Sequence, residues 1–157
     1  MDKHHTFIVQ YKPDEDLGLD MHTDDSDVTF NICLGKEFEG AGLTVCGLIT
    51  TDGHRQFSTA YKHVKGRALV HLGRHRHGAD DIISGDRMNL IVWNHSSTFR
   101  SSDEYKHLEL VKERAQPDIR CLSYTHDRDY TKYKELPAGK EIHHRKAWYP
   151  PQRLLDA

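Results

Sequence analysis

The sequence is poor in cysteine and has no long apolar run, and each shortage excludes a class of protein. Its three cysteines, Cys33, Cys46 and Cys121, include no C-x-x-C pair. A sparse, odd set of this kind excludes a disulfide scaffold and favours a reducing compartment. No segment approaches the roughly 20 apolar residues that cross a membrane, and the first residues lack the pattern of a secretory signal. We therefore expect a cytoplasmic or nuclear protein without a membrane partner.

An excess of one charge is also missing. The 22 lysines and arginines nearly balance 24 acidic residues, for a formal net charge of −2. Without a general basic excess, no nucleic-acid partner is expected. A chain of 157 residues falls within the usual size of one domain. Histidine, in contrast, is abundant at 13 residues, which makes a metal site worth seeking.

Short apolar segments separated by glycine-containing turns dominate residues 1–97. The segments are 7–11, 28–34, 43–49, 68–72 and 88–93. Residues 28–34 alternate, with Thr29 and Asn31 on the polar side, as expected of a strand with two different faces. Residues 68–72 are expected to form a buried strand. Five or six short strands without a long helix indicate a mainly β fold, a jelly-roll or cupin-like double-stranded β-helix.

Two further regions have less regular patterns. Residues 50–63 are polar and predict a long loop with room for a short strand; a substrate-facing lid and a solvated hairpin remain open. Ser102 precedes an acidic first turn and a narrow apolar stripe, which predicts a surface helix over residues 102–114. We expect residues 98–157 to form this helix and an extended tail packed on the β core.

The most informative short motif is His22-Thr23-Asp24. Side chains two residues apart on an extended segment point to the same side, so His22 and Asp24 can reach one ion. Asp25 and Asp27 are rival carboxylates, but neither has that spacing from His22. One more imidazole would complete the two histidines and one carboxylate that hold non-haem Fe(II) with open coordination positions.

His77 is the candidate for that second imidazole. It precedes a reversal at Gly85, after which Arg87 opens the strand at 88–93. His75 has the same parity as His77 and is its rival. Arg87 shares its parity with inward-facing positions of the strand, and a buried arginine requires an anionic partner. Its planar fork suits the far carboxylate of a dicarboxylic co-substrate.

Taken in order, these segments resemble the iron- and 2-oxoglutarate-dependent dioxygenases of the prolyl and lysyl hydroxylase type. The likeness includes the catalytic domain of procollagen lysyl hydroxylases and the 2-oxoglutarate and iron-dependent oxygenase domain-containing proteins. It covers roughly residues 7–97. The segments that carry it are 7–15, 22–24, 28–34, 38–43, 66–73, His77, Gly85 and Arg87.

The resemblance implies a site and a reaction. Fe(II) would be held by His22, Asp24 and His77, because the family places this histidine ten residues before the basic residue, as His77 and Arg87 are placed here. Arg87 would bind 2-oxoglutarate. Tyr11, Thr29 and Asn31 are further candidates for the co-substrate pocket, and ascorbate is a further candidate cofactor. The implied reaction hydroxylates an unidentified substrate, with a protein or peptide side chain as one option, and releases succinate and CO2.

Other interpretations remain open at this stage. A cupin-type metal dioxygenase that does not use 2-oxoglutarate would share the fold, and a degenerate oxygenase fold could serve as a non-catalytic binding module. Cys121, His126, His143 and His144 could in principle form a zinc site, although their spacing matches no known zinc motif.

The sequence also raises the question of what surrounds the sheet. Only about ten residues precede Tyr11, whereas family members have further elements there. We therefore expect either a fragment or one module of a longer protein, or a homo-oligomer. The apolar outer face of the larger sheet, with parts of 7–9 and alternate residues of 28–34, is predicted to be covered by the 102–114 helix, the tail or a second copy.

Overall fold

The computed structural model describes residues 1–51 and 59–114, in which ten strands and two helices are formed. The strands are β1 Lys3–Tyr11, β2 Leu19–His22, β3 Val28–Cys33, β4 Phe38–Gly40, β5 Leu43–Leu48, β6 Thr59–Tyr61, β7 Ala68–Leu72, β8 His75–Ala79, β9 Ile82–Gly85 and β10 Arg87–His95. The helices are α1 Ser97–Arg100 and α2 Asp103–Arg114.

The strands form two four-stranded antiparallel sheets and a short β4–β9 ladder. The larger sheet has the order β1-β10-β3-β7, and the smaller one has the order β2-β8-β5-β6. Early strands pair with late strands of the described part in both sheets, β1 with β10 and β2 with β8, so the chain winds between two facing layers as in a jelly roll. The predicted mainly β, double-stranded β-helix fold is therefore confirmed.

Four strands were not predicted from the sequence, because they are short or polar. They are β2, β4, β8 and β9. His77 was expected just before a turn, but it lies in the middle of β8, four of whose five residues are buried. Buried polar strands carry no apolar run, so periodicity does not detect them. The short strand expected within 50–63 is β6, whereas 52–58 lie outside the residues that the structure describes.

The two faces of the larger sheet differ in an unusual way. The inner face of β3 carries the buried Thr29, Asn31 and Cys33, whereas Phe30 on the outer face is 39% exposed. The expectation that 68–72 is a buried strand is wrong, because Val70 on β7 is 51% exposed. β7 is an edge strand, and its Val70 and Leu72 join the outer face. The interior of this sheet is thus partly polar, as a binding site requires.

The predicted helix is confirmed as α2, and Ser102 caps it by accepting a hydrogen bond from the backbone N–H of Tyr105 at 3.2 Å. This helix packs against α1. It does not bury the outer face, because Ile8 and Val70 there remain exposed in the described parts of the chain. A tail or a second copy stays a prediction as the cover, since residues 115–157 lie outside the description.

Two observations bear on the expected compartment. Cys33 and Cys46 are buried and form no disulfide within the described residues, while Cys121 lies beyond these residues, as do His126, His143 and His144. Within residues 1–51 and 59–114, no helix is long and apolar enough to cross a membrane.

Candidate metal centre and co-substrate cavity

Three side chains predicted as ligands converge at one end of the smaller sheet. His22 ends β2 and pairs directly with His77 on β8, so the antiparallel register places the two imidazoles side by side. Asp24 Oδ1 lies 3.4 Å from His22 Nε2 and 3.5 Å from His77 Nε2. One ligand atom from each residue falls within 4.8 Å of the others. The rival carboxylates turn away, since Asp25 and Asp27 both pair with Arg100.

A hydrogen bond to the second carboxylate oxygen of Asp24 holds the side chain in a fixed orientation. Thr29 Oγ1 donates to Asp24 Oδ2 at 2.6 Å, and Ser26 Oγ lies 2.7 Å from Thr29 Oγ1. Burial raises the pKa of Asp24, but the contacts with His22, His77 and Thr29 outweigh it, and the pKa is lowered overall. The carboxylate is therefore ionised, with Oδ1 directed at the two imidazoles. Thr29 was predicted to line the co-substrate pocket, and its hydroxyl also orients Asp24.

His77 presents a neutral nitrogen to the same point. Its Nδ1 lies 2.8 Å from the carbonyl oxygen of His75, which can only accept, so Nδ1 carries the proton and Nε2 keeps its lone pair. Burial, followed by the neighbouring His22, lowers the pKa of His77 to about 3. A histidine must be neutral to bind a metal, and this environment keeps it so.

The geometry fits a single metal ion. Metal–nitrogen and metal–oxygen bonds of about 2.0–2.2 Å place neighbouring ligands roughly 3 Å apart at right angles. The two nitrogen-to-oxygen distances of 3.4 and 3.5 Å are close to this value. Two nitrogens and one carboxylate oxygen are the donor set of a facial triad, which leaves the remaining positions open.

A further histidine, not singled out from the sequence, lies beside this group. His71 on the inner face of β7 is opposite Thr29, and its side chain is 5% exposed. Its Nε2 is 3.9 Å from Asp24 Oδ2, and its ring centroid is 4.5 Å from that of His77. Its parity with Leu69 was the available signal, but the apolar appearance of 68–72 concealed it.

All the predicted site residues line one cavity of about 280 Å³ between the two sheets. They are His22, Asp24, His77, Arg87, Tyr11, Thr29 and Asn31. Phe7, Leu43 and Trp93 are among the residues that make up the rest of the wall, which is mainly apolar. A small apolar chamber with a few convergent polar groups is typical of a small-molecule site.

Arg87 is buried at 2% exposure and pairs with Tyr11 across β10 and β1, with its Cζ 5.1 Å from the tyrosine ring centroid. Its Nε donates to Asn89 Oδ1 at 3.1 Å. Asn89 in turn donates to Asn31 Oδ1. Burial lowers the pKa of Arg87, but arginine remains protonated at any ordinary pH. Asp80 acts on it electrostatically, but no carboxylate of the described residues lies within ion-pair distance of it.

The described residues form a double-stranded β-helix in which a candidate metal triad and a buried arginine line one cavity. The chain is 42% identical over 131 residues to the 2-oxoglutarate and iron-dependent oxygenase domain-containing protein ICU11 of Arabidopsis thaliana, covering 75% of this chain and 33% of that protein. It is 37% identical over 102 residues to the human 2-oxoglutarate and iron-dependent oxygenase domain-containing protein 2, covering 65% and 29%.

The chain is therefore homologous to the 2-oxoglutarate and iron-dependent oxygenase domain-containing proteins, and the resemblance predicted from the sequence is confirmed. It spans about a third of the length of the curated relatives it matches. No protein-family model matches it. Among solved structures, a 2OG-Fe(II) oxygenase-family oxidoreductase from Burkholderia pseudomallei aligns with a TM-score of 0.48 and 20% identity, covering 58% of this chain and 43% of that one.

Proposed function

We propose that this chain is the catalytic core of an Fe(II)- and 2-oxoglutarate-dependent dioxygenase that hydroxylates its substrate and releases succinate and CO2. The observation that carries the proposal is that the triad of His22, Asp24 and His77 lines the same cavity as Arg87. A metal site alone would fit several oxidative chemistries. A metal site that shares one cavity with a buried guanidinium, for which the described residues supply no ion-pair partner, favours a co-substrate that is both a chelator and a carboxylate.

The triad would hold Fe(II) by two imidazole nitrogens and one carboxylate oxygen. Bound iron, with 2-oxoglutarate and O2, would supply the oxidative decarboxylation and the hydroxylation of the substrate. The protein keeps His77 neutral by burial and keeps Asp24 ionised and oriented through Thr29. These groups fix the ligand set before the ion arrives, so little reorganisation is needed on binding.

Arg87 would bind the distal carboxylate of 2-oxoglutarate. A buried guanidinium without an anion is costly, and a carboxylate ligand removes that cost while forming two parallel hydrogen bonds. Tyr11 lies against the guanidinium and lines the same chamber, which is consistent with contact to the co-substrate. The wall of the cavity is mainly apolar, which strengthens these contacts.

The substrate itself remains to be identified. A second cavity of about 430 Å³ opens beside Asp24, between residues 23–27 and helix α2. Arg74, Tyr105 and Leu108 contribute to its wall, so it could accept a side chain of mixed polarity. Hydroxylation of a protein or peptide side chain is our proposal for the substrate class, and ascorbate as an accessory reductant stays a prediction.

An anaerobic titration tests the proposal. Addition of Fe(II) and then 2-oxoglutarate to the full chain should produce the weak visible charge-transfer band of the chelate. Admission of O2 should then convert 2-oxoglutarate to succinate, slowly without substrate. A chain that binds Fe(II) but gives neither a band nor succinate would favour a metal dioxygenase of another kind. A chain that binds no metal would favour a non-catalytic binding module.

A further inference from the structure

Arg87 is held in place by three acceptors that carry no charge. Its Nη1 donates to the carbonyl oxygen of Ala41 at 2.8 Å, its Nε donates to Asn89, and its Nη2 lies 2.9 Å from His63 Nε2. His63 was not predicted as a site residue, since it falls at the end of the polar segment 50–63. It is 5% exposed, and its ring meets that of Tyr61 edge to face at 5.3 Å.

The contact with Arg87 determines how His63 is protonated. Arginine can only donate, so Nε2 of His63 must be the unprotonated acceptor and Nδ1 must carry the proton. Burial and the adjacent Arg87 both disfavour a second proton and lower the pKa of His63 to about 3. The 3.4 Å contact from Asn89 Nδ2 to Nδ1 then joins two donors and adds nothing. The hydrogen bond to Arg87 is therefore the one that fixes the imidazole.

The backbone around Arg87 is also adapted to this task. Ala41 is fully buried and has a positive φ of 47°, a conformation that non-glycine residues rarely adopt. Its carbonyl is the acceptor for Nη1, and its N–H donates to the Asp81 carbonyl at 3.0 Å. A residue held in an uncommon conformation by the surrounding structure is typical of a binding site.

We propose that His63 is a positioning residue for Arg87, which it aims at the distal carboxylate of the co-substrate by accepting one N–H without neutralising the guanidinium. A carboxylate at position 63 would hold Arg87 equally well, but it would supply the anion that the ligand should supply. A neutral acceptor leaves Arg87 without an ion-pair partner among the described residues until a dicarboxylic 2-oxo acid binds. The inference rests on the proposed function, because it assigns Arg87 to 2-oxoglutarate.

Three substitutions of His63 distinguish a role in orienting Arg87 from a role in packing alone. His63→Gln keeps a neutral acceptor, His63→Glu replaces it with an anion of similar length, and His63→Ala removes it. Lys62→Ala, at the exposed neighbouring position, is the matched control. Binding to the Mn(II)-loaded full chain is measured by calorimetry with 2-oxoglutarate and with 2-oxobutanoate, which chelates through the same groups but lacks the distal carboxylate. Mn(II) affinity is measured separately.

We expect His63→Ala and His63→Glu to weaken 2-oxoglutarate binding by about tenfold or more, since each disturbs a hydrogen bond or charge on a buried cation. His63→Gln should stay within about threefold of the parent chain, as should Lys62→Ala. Binding of 2-oxobutanoate and of Mn(II) should change little in every variant. If His63→Ala does not fold, the Gln and Glu pair still decides the matter.

Two results would overturn the inference. If His63→Glu binds 2-oxoglutarate like His63→Gln, charge at position 63 is irrelevant and His63 does not preserve the cation. If binding of 2-oxobutanoate falls in parallel with that of 2-oxoglutarate, His63 supports the fold of the cavity rather than the distal contact. A parent chain that does not bind 2-oxoglutarate at all contradicts the proposed function, and this inference falls with it.

Discussion

The inner face of the larger sheet is partly polar and its outer face is partly apolar, which distinguishes it from an ordinary half-buried sheet. The inner face carries four buried polar side chains, Thr29, Asn31, Arg87 and Asn89. Asn89 links Arg87 to Asn31 by hydrogen bonds, and Thr29 donates to Asp24 of the candidate metal triad. Outside, apolar side chains remain exposed. They are Ile8, Phe30, Leu34, Val70 and Leu72. Sheets normally place apolar side chains inward, because burial of apolar surface drives folding.

The difference teaches that the two faces serve different purposes. A partly polar interior lowers the stability that the core can supply, and it places polar groups in the cavity of the candidate site. An apolar exterior gains nothing unless another surface covers it, since exposed apolar patches of this kind mark interaction sites. The smaller apolar cluster around Tyr11, Leu17, Leu43 and Ile82 is what remains as a conventional core between the layers.

The largest effect is expected at the candidate metal triad, next to the inner face. Asp24→Ala removes the only carboxylate of the triad and should weaken Fe(II) binding by more than about a hundredfold, abolishing succinate formation. Asp25→Ala is the matched control, because Asp25 is a neighbouring carboxylate that pairs with Arg100 instead. Equilibrium dialysis with Fe(II) measures both. Loss of iron in Asp25→Ala with retention in Asp24→Ala would disprove the assignment.

The second effect concerns Arg87, which lines the same cavity as the candidate metal triad. Arg87→Ala should weaken 2-oxoglutarate binding by roughly thirtyfold or more, because losing a charge-assisted contact to a buried partner costs about 2–5 kcal/mol. The 2-oxoglutarate affinity of Arg87→Lys should lie between those of the parent chain and Arg87→Ala, since lysine keeps the positive charge but cannot form two parallel hydrogen bonds to a carboxylate. Fe(II) affinity should stay within a few-fold. Unchanged 2-oxoglutarate affinity in Arg87→Ala would make Arg87 structural.

The sequence revealed the parts of this site that repeat with a strand period or lie in a familiar order. Alternation predicted β3, and the two-residue spacing predicted that His22 and Asp24 share a face. His63 could not be found in this way, and the apolar appearance of residues 68–72 concealed His71. Each is a single polar residue in a segment that looked like an ordinary loop or an apolar strand, and their roles arise from long-range contacts with Arg87 and Asp24. Strand β8 was missed because it is buried and polar at once.

The third effect is on stability, and it arises because the pKa of the buried His63 differs between the folded and the unfolded chain. The pKa of His63 is about 3 in the folded chain, against 6.5 for an ordinary histidine. Between these values the unfolded chain binds more protons, so stability falls as the pH drops from about 6.5 towards 3. His63 should account for about 1–2 kcal/mol of that loss at pH 5.

The measurement is urea unfolding of the metal-free chain at pH 7 and pH 5. His63→Gln cannot titrate in this range, so its stability should fall less between the two pH values than that of the parent chain. Lys62→Ala should follow the parent chain. If the Gln variant loses as much stability as the parent chain, the imidazole of His63 is already charged, or solvated, in the folded state.

The smallest effect is expected on the outer face, where a cover has been predicted but α2 does not provide it. Val70→Ser and Ile83→Ser remove apolar side chains from strand positions that are 51% and 63% exposed, respectively. Val70 lies on the outer face, in register with Phe30, whereas Ile83 lies on β9 outside that sheet. A side chain that stays in solvent costs within about 0.5 kcal/mol on substitution, whereas loss of buried apolar surface costs about 1 kcal/mol or more.

If residues 115–157 or a second copy cover the outer face, Val70→Ser should destabilise the full chain by about 1 kcal/mol more than Ile83→Ser. The two covers differ in one respect, because only a second copy makes the cost depend on protein concentration. Unfolding curves at two concentrations, with light scattering on the same samples, distinguish them. Equal costs for both substitutions in a chain that stays monomeric would mean that the outer face of this chain lies open to solvent.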